Sequence, residues 1–355
     1  MKVATIVGAR PQFIKAAPVS RALRLRHREV LVHTGQHYDP LLSDVFFREL
    51  ALPAPDHTLY IGSAPHGAQT GRMLEAVEAV LLLERPDAVL VYGDTNSTLA
   101  GALAAAKLDI PLVHVEAGLR SGVRAMPEEI NRVLTDRLST LSCCPNQAAV
   151  DNLAAEGITT NIEIVGDVML DALLEAAERV QEDAGTLGAL GVSPGQYVLA
   201  TVHRAANTDD PVRLGSIVHA LGSLGMPVLW PMHPRTRPIL QAAGIDMPPA
   251  VHVVPALGYL DLVRVLRHAA CVVTDSGGLQ KEAYWLGVPC VTTRNETEWR
   301  ETVSSGWNTL ADADTARIIA AVAAPTAQAG PRDAYGAAGA AERVVAAMER
   351  VIGVV

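Results

Sequence analysis

The stretch AVLVYGDTNSTLAGALAAAKLDIPLVHVE, residues 88–116, decides the fold. An apolar run stops at a Gly-Asp turn, an alanine-rich stretch covers 98–107, and a second apolar run over 111–115 stops at Glu116. Such runs are typical of strands buried on both faces, and strand, helix and strand in this order form a parallel βαβ unit. We therefore expect Asp94 and Glu116 to lie at the carboxyl edge of one sheet, where open α/β sheets bind ligands.

The same alternation continues on both sides of this unit. Further strands are predicted over residues 2–7, 29–34, 197–202, 228–231, 251–254, 271–274 and 289–293, and one of the intervening helices over 43–51. A long helix near 168–182 and a linker at 185–195 separate two such series. Because 355 residues are too many for one simple core, we predict two Rossmann-like α/β domains with doubly wound parallel sheets. They cover residues 1–168 and 169–337, and the C-terminal helix of about 338–355 is expected to pack back on the first.

The composition limits the class of partner. The formal net charge is −9, and no run rich in Lys or Arg occurs. This argues against nucleic acid, because phosphate backbones select basic surfaces. The apolar run at the N-terminus is too short for a signal peptide, and no stretch approaches a transmembrane span. Four cysteines without a CxxC pair favour reduced thiols over a metal site. We expect a cytoplasmic protein with no metal and no membrane partner.

Polar residues collect just after the predicted strands in both halves of the chain. They are Arg10, Gln36, Asp94, Glu116, His203, His233, Ser276 and Arg294. The simplest arrangement has the two sheets turning these polar ends toward each other across an interdomain cleft.

Residues 274–278, TDSGG, lead into a helix and have the form of a phosphate cradle. The glycines Gly277 and Gly278 let the backbone approach a ligand, and the first-turn N–H groups after Ser276 favour an anion. Glu282 lies on the same helix face, where it could accept hydrogen bonds from ribose hydroxyls. The alternative is an ordinary serine-capped turn followed by a solvated glutamate.

The first strand is followed by GARPQFIK, residues 8–15, which lacks the GxGxxG spacing. No NAD or FAD cofactor is therefore implied. Arg10 at the turn and Lys15 in the following helix could both reach an anion. The alternative is that Arg10 only belongs to the turn and that Lys15 is exposed to solvent, with neither binding an anion.

Four carboxylates compete for a catalytic role. Glu116 interrupts the exit of a buried strand, which makes it the best candidate. Asp94 is a candidate too, although the motif at 93–98 could be no more than an Asp or Thr cap that opens the next helix. Glu128 is a further candidate, but it and Glu129 follow Pro127 in a favourable helix start. Glu129 is expected to be no more than a first-turn acid.

Two histidines have contrasting settings. His114 lies inside an apolar run and is expected to be a core histidine with satisfied hydrogen bonds. His203 directly follows a strand and could bind a diphosphate or act as an acid.

The ordered set of motifs resembles the non-hydrolysing UDP-N-acetylglucosamine 2-epimerases and covers essentially the whole chain. The matching residues are Gly8-Ala9-Arg10-Pro11, Gly35-Gln36-His37, Gly93-Asp94-Thr95, HVEAGLR at 114–120, MPEEINR at 126–132, His203-Arg204 and DSGGLQKE at 275–282.

This resemblance implies a GT-B fold, a homodimer, no cofactor, and inversion at C2 of a UDP-sugar during synthesis of surface polysaccharide precursors. In that reaction C2 loses its proton while UDP is eliminated, and UDP adds back after reprotonation on the opposite face. The family's catalytic groups fall on Asp94, Glu116, Glu128 and His203, three of which (Asp94, Glu116 and His203) also contact substrate. Its other UDP-binding positions fall on Arg10, Lys15, Ser276, Gly277, Gly278 and Glu282, and 169–337 becomes the UDP-binding domain. Which carboxylate is the base and which the acid stays open.

Two departures from the family pattern leave open which UDP-sugar is the substrate. Tyr38 stands where many members have an arginine that binds a second substrate molecule, so no second-site activator is expected. Trp299 stands where many members have a UDP-contacting arginine. With SGGLQKEA at 276–283, both features favour the branch that epimerises UDP-2,3-diacetamido-2,3-dideoxy-glucuronate. A non-catalytic nucleotide-sugar sensor is the alternative of another class, although binding UDP would not require the three carboxylates.

Overall fold

The computed structural model describes residues 1–36, 47–180, 184–234, 236–324 and 330–353. Within this part the chain forms two compact units, Met1–Glu175 with Tyr335–Val355, and Ala176–Ala334. Tyr38 lies outside the described residues, and so does the first part of the helix predicted over 43–51.

The first unit is built on one parallel sheet. Its strands are β1 (Lys2–Val7), β2 (Arg28–His33), β3 (His57–Thr58), β4 (Ala88–Tyr92), β5 (Leu112–Val115), β6 (Leu141–Cys144) and β7 (Ile162–Ile164). Its helices are α1 (Arg10–Arg24), α2 (His66–Glu84), α3 (Asn96–Lys107), α4 (Pro127–Leu138), α5 (Gln147–Ala155), α6 (Val168–Arg179, which runs past the boundary) and α15 (Ala340–Val351). The strand order is 3-2-1-4-5-6-7, and all neighbours pair in parallel.

Apolar residues on both faces of these strands explain why the sheet is covered on two sides. All five residues of β4 and all four of β5 are buried. Each fully buried Val or Leu side chain stabilises the fold by about 1.5–3 kcal/mol. Helix α15 closes the unit against α1 and β6. Its start is held by Asp171, whose carboxylate accepts hydrogen bonds from the backbone of Gly339 (2.7 Å) and Ala341 (2.8 Å).

The second unit repeats this architecture. Its strands are β8 (Val198–Thr201), β9 (Val228–Met232), β10 (Val251–Pro255), β11 (Cys271–Thr274), β12 (Cys290–Thr292) and β13 (Asn308–Leu310). Its helices are α7 (Ala184–Ala189), α8 (Ala205–Thr208), α9 (Pro211–Gly222), α10 (Thr236–Ala242), α11 (Tyr259–Arg267), α12 (Gly277–Leu286), α13 (Arg300–Ser304) and α14 (Thr315–Ala323). All strands are again parallel, in the order 10-9-8-11-12-13.

The predicted linker over 185–195 is wrong in its first part, because α7 occupies it. Leu187 and Val192 from this segment are buried against Tyr197 and Leu199 at the start of the sheet. Burial of these two apolar side chains holds the segment against the core.

Both sheets reverse their strand order once, and the predicted doubly wound α/β class is confirmed. The reversals lie between β1 and β4 in the first sheet and between β8 and β11 in the second. Ligands of open α/β sheets bind outside the carboxyl ends of the strands at such points. Arg10 and Asp94 follow the first pair of strands, and His203 and Ser276 follow the second.

Of the helices described, none combines the length and the apolar character that crossing a membrane requires.

Candidate active site

Two turns at the carboxyl edge of the first sheet use a left-handed backbone, with φ of +61° at Gly93 and +70° at Glu116. Such a conformation costs a residue with a side chain about 1–3 kcal/mol, and it tends to occur at functional sites. A Cβ on Gly93 would lie 3.1 Å from both Oε2 of Glu116 and Nζ of Lys15. Glycine at this turn therefore leaves room for those two side chains.

Lys15 and Glu116 form a buried ion pair between Nζ and Oε2. The side chains are 11% and 6% exposed, so solvent screens their attraction only weakly. The alternative of a solvated lysine at position 15 is therefore wrong. Arg10 lies at the first position of α1 and is partly exposed.

Arg132 on α4 bridges two carboxylates. Its Nη2 donates to Oδ2 of Asp94 at 2.6 Å, and its Nη1 lies 3.1 Å from Oε2 of Glu129. Neighbouring Asn131 donates to the backbone carbonyl of Asp94 at 2.9 Å. The helix cap that this motif predicts is present and is provided by Thr95, the N-cap of α3, which accepts from the backbone of Thr98, so Asp94 itself is not the cap.

The expectation that Glu129 is only a favourable first-turn acid is wrong. Glu129 is buried, and its Oε2 accepts from the backbone N–H and the hydroxyl of Ser121 at 3.0 and 2.9 Å. The loop before α4 folds back over the helix start and encloses Glu129. Glu128, the catalytic candidate, is exposed, and its side chain makes no hydrogen bond or ion pair within the described residues.

His114 is a core histidine with both ring nitrogens paired, as predicted. It is fully buried, and its nitrogens lie 2.7 Å from Asp136 and 2.7 Å from the carbonyl of Gly93. Arg120 also binds Asp136 and makes two hydrogen bonds to Glu156, at 2.6 and 2.8 Å. The sequence analysis assigns no role to Arg120 or Asp136, and Asp136 lies on α4 beyond the family motif at 126–132.

In the second unit Asp275 holds the segment that follows β8. Its carboxylate is fully buried and accepts from the backbone N–H groups of His203 (3.1 Å) and Arg204 (3.0 Å) and from the side chain of Asn207 (3.2 Å). The imidazole of His203 is 46% exposed, with Nδ1 3.4 Å from Asp275.

The turn at Ser276, Gly277 and Gly278 forms the start of α12, as the cradle motif predicts. Ser276 is the N-cap and accepts from the backbone of Leu279. A Cβ on Gly277 would lie 3.0 Å from Nε1 of Trp299 and 3.8 Å from Nη2 of Arg204. Two side-chain nitrogens that carry hydrogens thus approach the spot that glycine leaves open at a helix N-terminus, which suits an anion.

Buried side chains support this turn from behind. The ammonium of Lys281 lies 3.8 Å from the centre of the Trp299 ring, close enough for a cation–π interaction, and Lys281 is fully buried. Glu282 is buried too, so the alternative of a solvated glutamate at this position is wrong.

Glu298 anchors the basic side chains beside the turn. Its carboxylate lies 3.7 Å from Arg204 and 3.0 Å from Arg294. Burial alone would raise the pKa of Glu298, but the charges of Arg294 and Arg204 outweigh it and hold the pKa below its usual value. Glu298 thus stays ionised and orients both guanidinium groups.

The described residues contain no group of three or more His, Cys, Asp or Glu side chains that could hold a metal ion. The four cysteines are buried and unbridged, and burial raises the pKa of each thiol.

Residues 21–349 match the family model for UDP-N-acetylglucosamine 2-epimerase. The chain belongs to this family. Among relatives of this epimerase family, a UDP-N-acetylglucosamine 2-epimerase homolog from Methanococcus maripaludis is 50% identical over 324 residues, which are 90% of this chain and 91% of that protein. UDP-2,3-diacetamido-2,3-dideoxy-D-glucuronate 2-epimerase from Pseudomonas aeruginosa is also 50% identical, over 90% of each chain.

The fold agrees with this membership. A crystal structure of Methanocaldococcus jannaschii UDP-GlcNAc 2-epimerase in complex with UDP-GlcNAc and UDP matches with a TM-score of 0.92 and 38% identity, over 99% of this chain and all of that one. The two units thus form a GT-B fold, as the sequence resemblance predicted. The epimerases are isomerases, and the carboxylate-rich turns of the first unit suit proton transfer.

Proposed function

We propose that this chain inverts C2 of a UDP-2-acetamido sugar, converting UDP-N-acetylglucosamine to UDP-N-acetylmannosamine. One observation carries the proposal. Glu116 is held in a strained backbone conformation against Lys15, next to the turn that carries Asp94, in a chain that matches the epimerase family over nearly its full length.

The chemistry explains why several carboxylates are needed. The proton at C2 is weakly acidic, and departure of UDP creates the positive character at C1 that makes its removal feasible. Inversion requires proton transfer on two faces of the sugar, so two positioned groups must share the work. In this proposal Asp94, Glu116 and Glu128 carry the protons. His203 binds the diphosphate of UDP or acts as an acid toward it.

The UDP moiety is assigned to the basic and glycine-rich positions. Ser276, Gly277 and Gly278 receive the diphosphate at the start of α12, and Glu282 accepts from ribose hydroxyls. Arg10 and Lys15 complete the set of substrate-binding residues on the first unit. The proposal uses no cofactor and no metal.

The second candidate substrate is UDP-2,3-diacetamido-2,3-dideoxy-glucuronate. It is favoured by the 50% identity to the Pseudomonas aeruginosa 2-epimerase for that sugar and by SGGLQKEA at 276–283. The two candidates differ only in the substituents at C3 and C6, so one assay can separate them.

The decisive experiment is incubation with each UDP-sugar in deuterated water, followed by proton NMR. We expect deuterium to enter C2 and the manno epimer to appear with one of the two. Binding of UDP without exchange on either sugar would instead indicate a nucleotide-sugar sensor. Release of free N-acetylmannosamine would indicate a hydrolysing enzyme.

Replacing Gly277 by Ala should weaken UDP binding by about tenfold or more, since the added Cβ would lie 3.0 Å from Nε1 of Trp299 and fill the approach to the helix start. Isothermal titration calorimetry measures the change. Gly188→Ala, on α7 where a Cβ meets nothing within 4 Å, is the matched control and should bind UDP normally. Equal UDP affinities of the two variants would show that the diphosphate does not bind at this turn.

The remaining expectations follow from the resemblance and complete the proposal. The protein works as a homodimer in the cytoplasm and supplies precursors of surface polysaccharides. Light scattering coupled to size-exclusion chromatography tests the dimer, and a deletion strain that lacks the polysaccharide would support the pathway.

A further inference from the structure

We propose that Asp136 and His114 form a positioning pair that fixes the positions of Asp94 and Glu116. Neither residue of the pair belongs to the catalytic set assigned above. The inference rests on the proposed function for its catalytic consequence, and on the geometry alone for the positioning itself.

Asp136 fixes the chain on both sides of Glu116. Asp136 is 1% exposed, and its carboxylate lies 2.7 Å from Nδ1 of His114, which precedes Glu116 by two residues. It also accepts from the backbone N–H of Gly118 (3.2 Å) and from Nη1 of Arg120 (2.7 Å), both of which follow Glu116. One buried carboxylate thus holds both flanks of a residue whose own backbone is left-handed.

His114 connects the carboxylate of Asp136 to the neighbouring turn at Gly93. Its Nε2 lies 2.7 Å from the carbonyl oxygen of Gly93. A carbonyl oxygen only accepts, so Nε2 must carry the hydrogen of this bond. Gly93 immediately precedes Asp94, and its carbonyl belongs to the peptide group that joins the two residues. The chain of contacts from Asp136 through His114 therefore ends at the backbone of Asp94.

The charges of this cluster are mutually compensated. Arg120 pairs with both Asp136 and Glu156, and His114 faces Asp136 from the opposite side. Burial would raise the pKa of Asp136, but His114 and Arg120 lower it further than burial raises it. A buried ionised carboxylate with three donors is a rigid reference point, because losing any one of them leaves a costly unpaired group.

Such rigidity matters for proton transfer, where a misplacement of about 1 Å can cost a factor of about 100 in rate. Asp94 and Glu116 follow two neighbouring strands, β4 and β5, which pair in parallel. The bond from His114 to Gly93 adds a side-chain contact between β5 and the turn that carries Asp94.

Two substitutions of His114 each remove one of its two hydrogen bonds and keep the other. In His114→Asn the amide nitrogen replaces Nδ1 and keeps the bond to Asp136, while the bond to Gly93 is lost. In His114→Gln the longer side chain replaces Nε2 and keeps the bond to Gly93, while the bond to Asp136 is lost. His33→Gln is the control, because His33 is also a buried histidine, at the end of β2, and its ring packs against Phe13 and Phe47.

Hydrogen–deuterium exchange of the full chain tests the positioning without reference to activity. We expect faster amide exchange around residues 93–95 in His114→Asn and around 117–120 in His114→Gln, each with the other turn still protected. Identical exchange patterns in the two variants, or a pattern shared with His33→Gln, would overturn the pair as a positioning device.

Turnover of the UDP-sugar then tests the consequence. In folded protein, His114→Asn should lower kcat about tenfold or more with KM little changed, and His33→Gln should leave both unchanged. A normal kcat in a variant whose turn has loosened would refute the catalytic role of the pair. Absence of turnover in the unmodified protein would count against the proposed function instead, and the exchange pattern would still decide the positioning.

Discussion

Glu116→Gln should stop C2 exchange while UDP still binds. The amide cannot take a proton from carbon, and loss of a positioned general base costs a factor of about 100 to 10,000. The substitution also leaves the ammonium of Lys15 buried beside a neutral partner, so thermal stability should fall as well. Deuterium incorporation at C2 and calorimetric titration with UDP measure the two properties separately, at a temperature where the variant is fully folded.

Glu163→Gln is the matched control for this variant. Glu163 lies in the same unit on β7, is partly exposed and pairs with Arg350 at 3.2 Å, so exchange should be normal. Substantial C2 exchange by the Glu116 variant would show that another carboxylate removes the proton.

Arg132→Met should lower both stability and turnover. Arg132 is 3% exposed at its side chain and bridges Asp94 and Glu129. Removing one partner of a buried ion pair costs about 3–5 kcal/mol, and the lower end applies here because Asp94 is 30% exposed. Turnover should fall about a hundredfold, because Asp94 loses the cation that orients it. Urea unfolding and steady-state kinetics measure the two effects.

Arg137→Met on the same helix provides the comparison. Arg137 is exposed and donates one hydrogen bond, to the carbonyl of Glu156 at 2.8 Å, so its loss should change stability by less than about 1 kcal/mol. Arg132→Lys keeps one charge but not the bridge, and an intermediate effect is expected. If Arg132→Met turned over substrate normally, Asp94 would have no need of this partner.

Sequence periodicity predicted most of the described strands and the edge on which Asp94 and Glu116 lie, but β3, β6, β7 and β13 were not predicted. The reason is physical: apolar runs buried on both faces occur in parallel sheets, and all strands of such a sheet end at the same edge. The resemblance to a known family added the candidate roles of these residues, which no spacing could supply.

The side-chain and backbone groups that contact the site residues could not be predicted from the sequence. Glu128 and Glu129 look equivalent in the sequence, yet the loop that folds back onto α4 buries only the second. The link between His114 and Gly93 crosses from one strand to another, and the stacking of Lys281 on Trp299 joins residues from separate elements. Contacts of this kind depend on tertiary packing, which helical or strand periodicity does not encode.

The position of α15 in the chain has a consequence for biosynthesis. This helix packs on α1, and Glu349 near its end contacts His27 at 3.0 Å. The ribosome makes the entire second unit between Glu175 and Tyr335. The first unit therefore cannot cover the apolar surface beneath α15 until that helix has been translated, although residues 1–175 of the same unit are translated first.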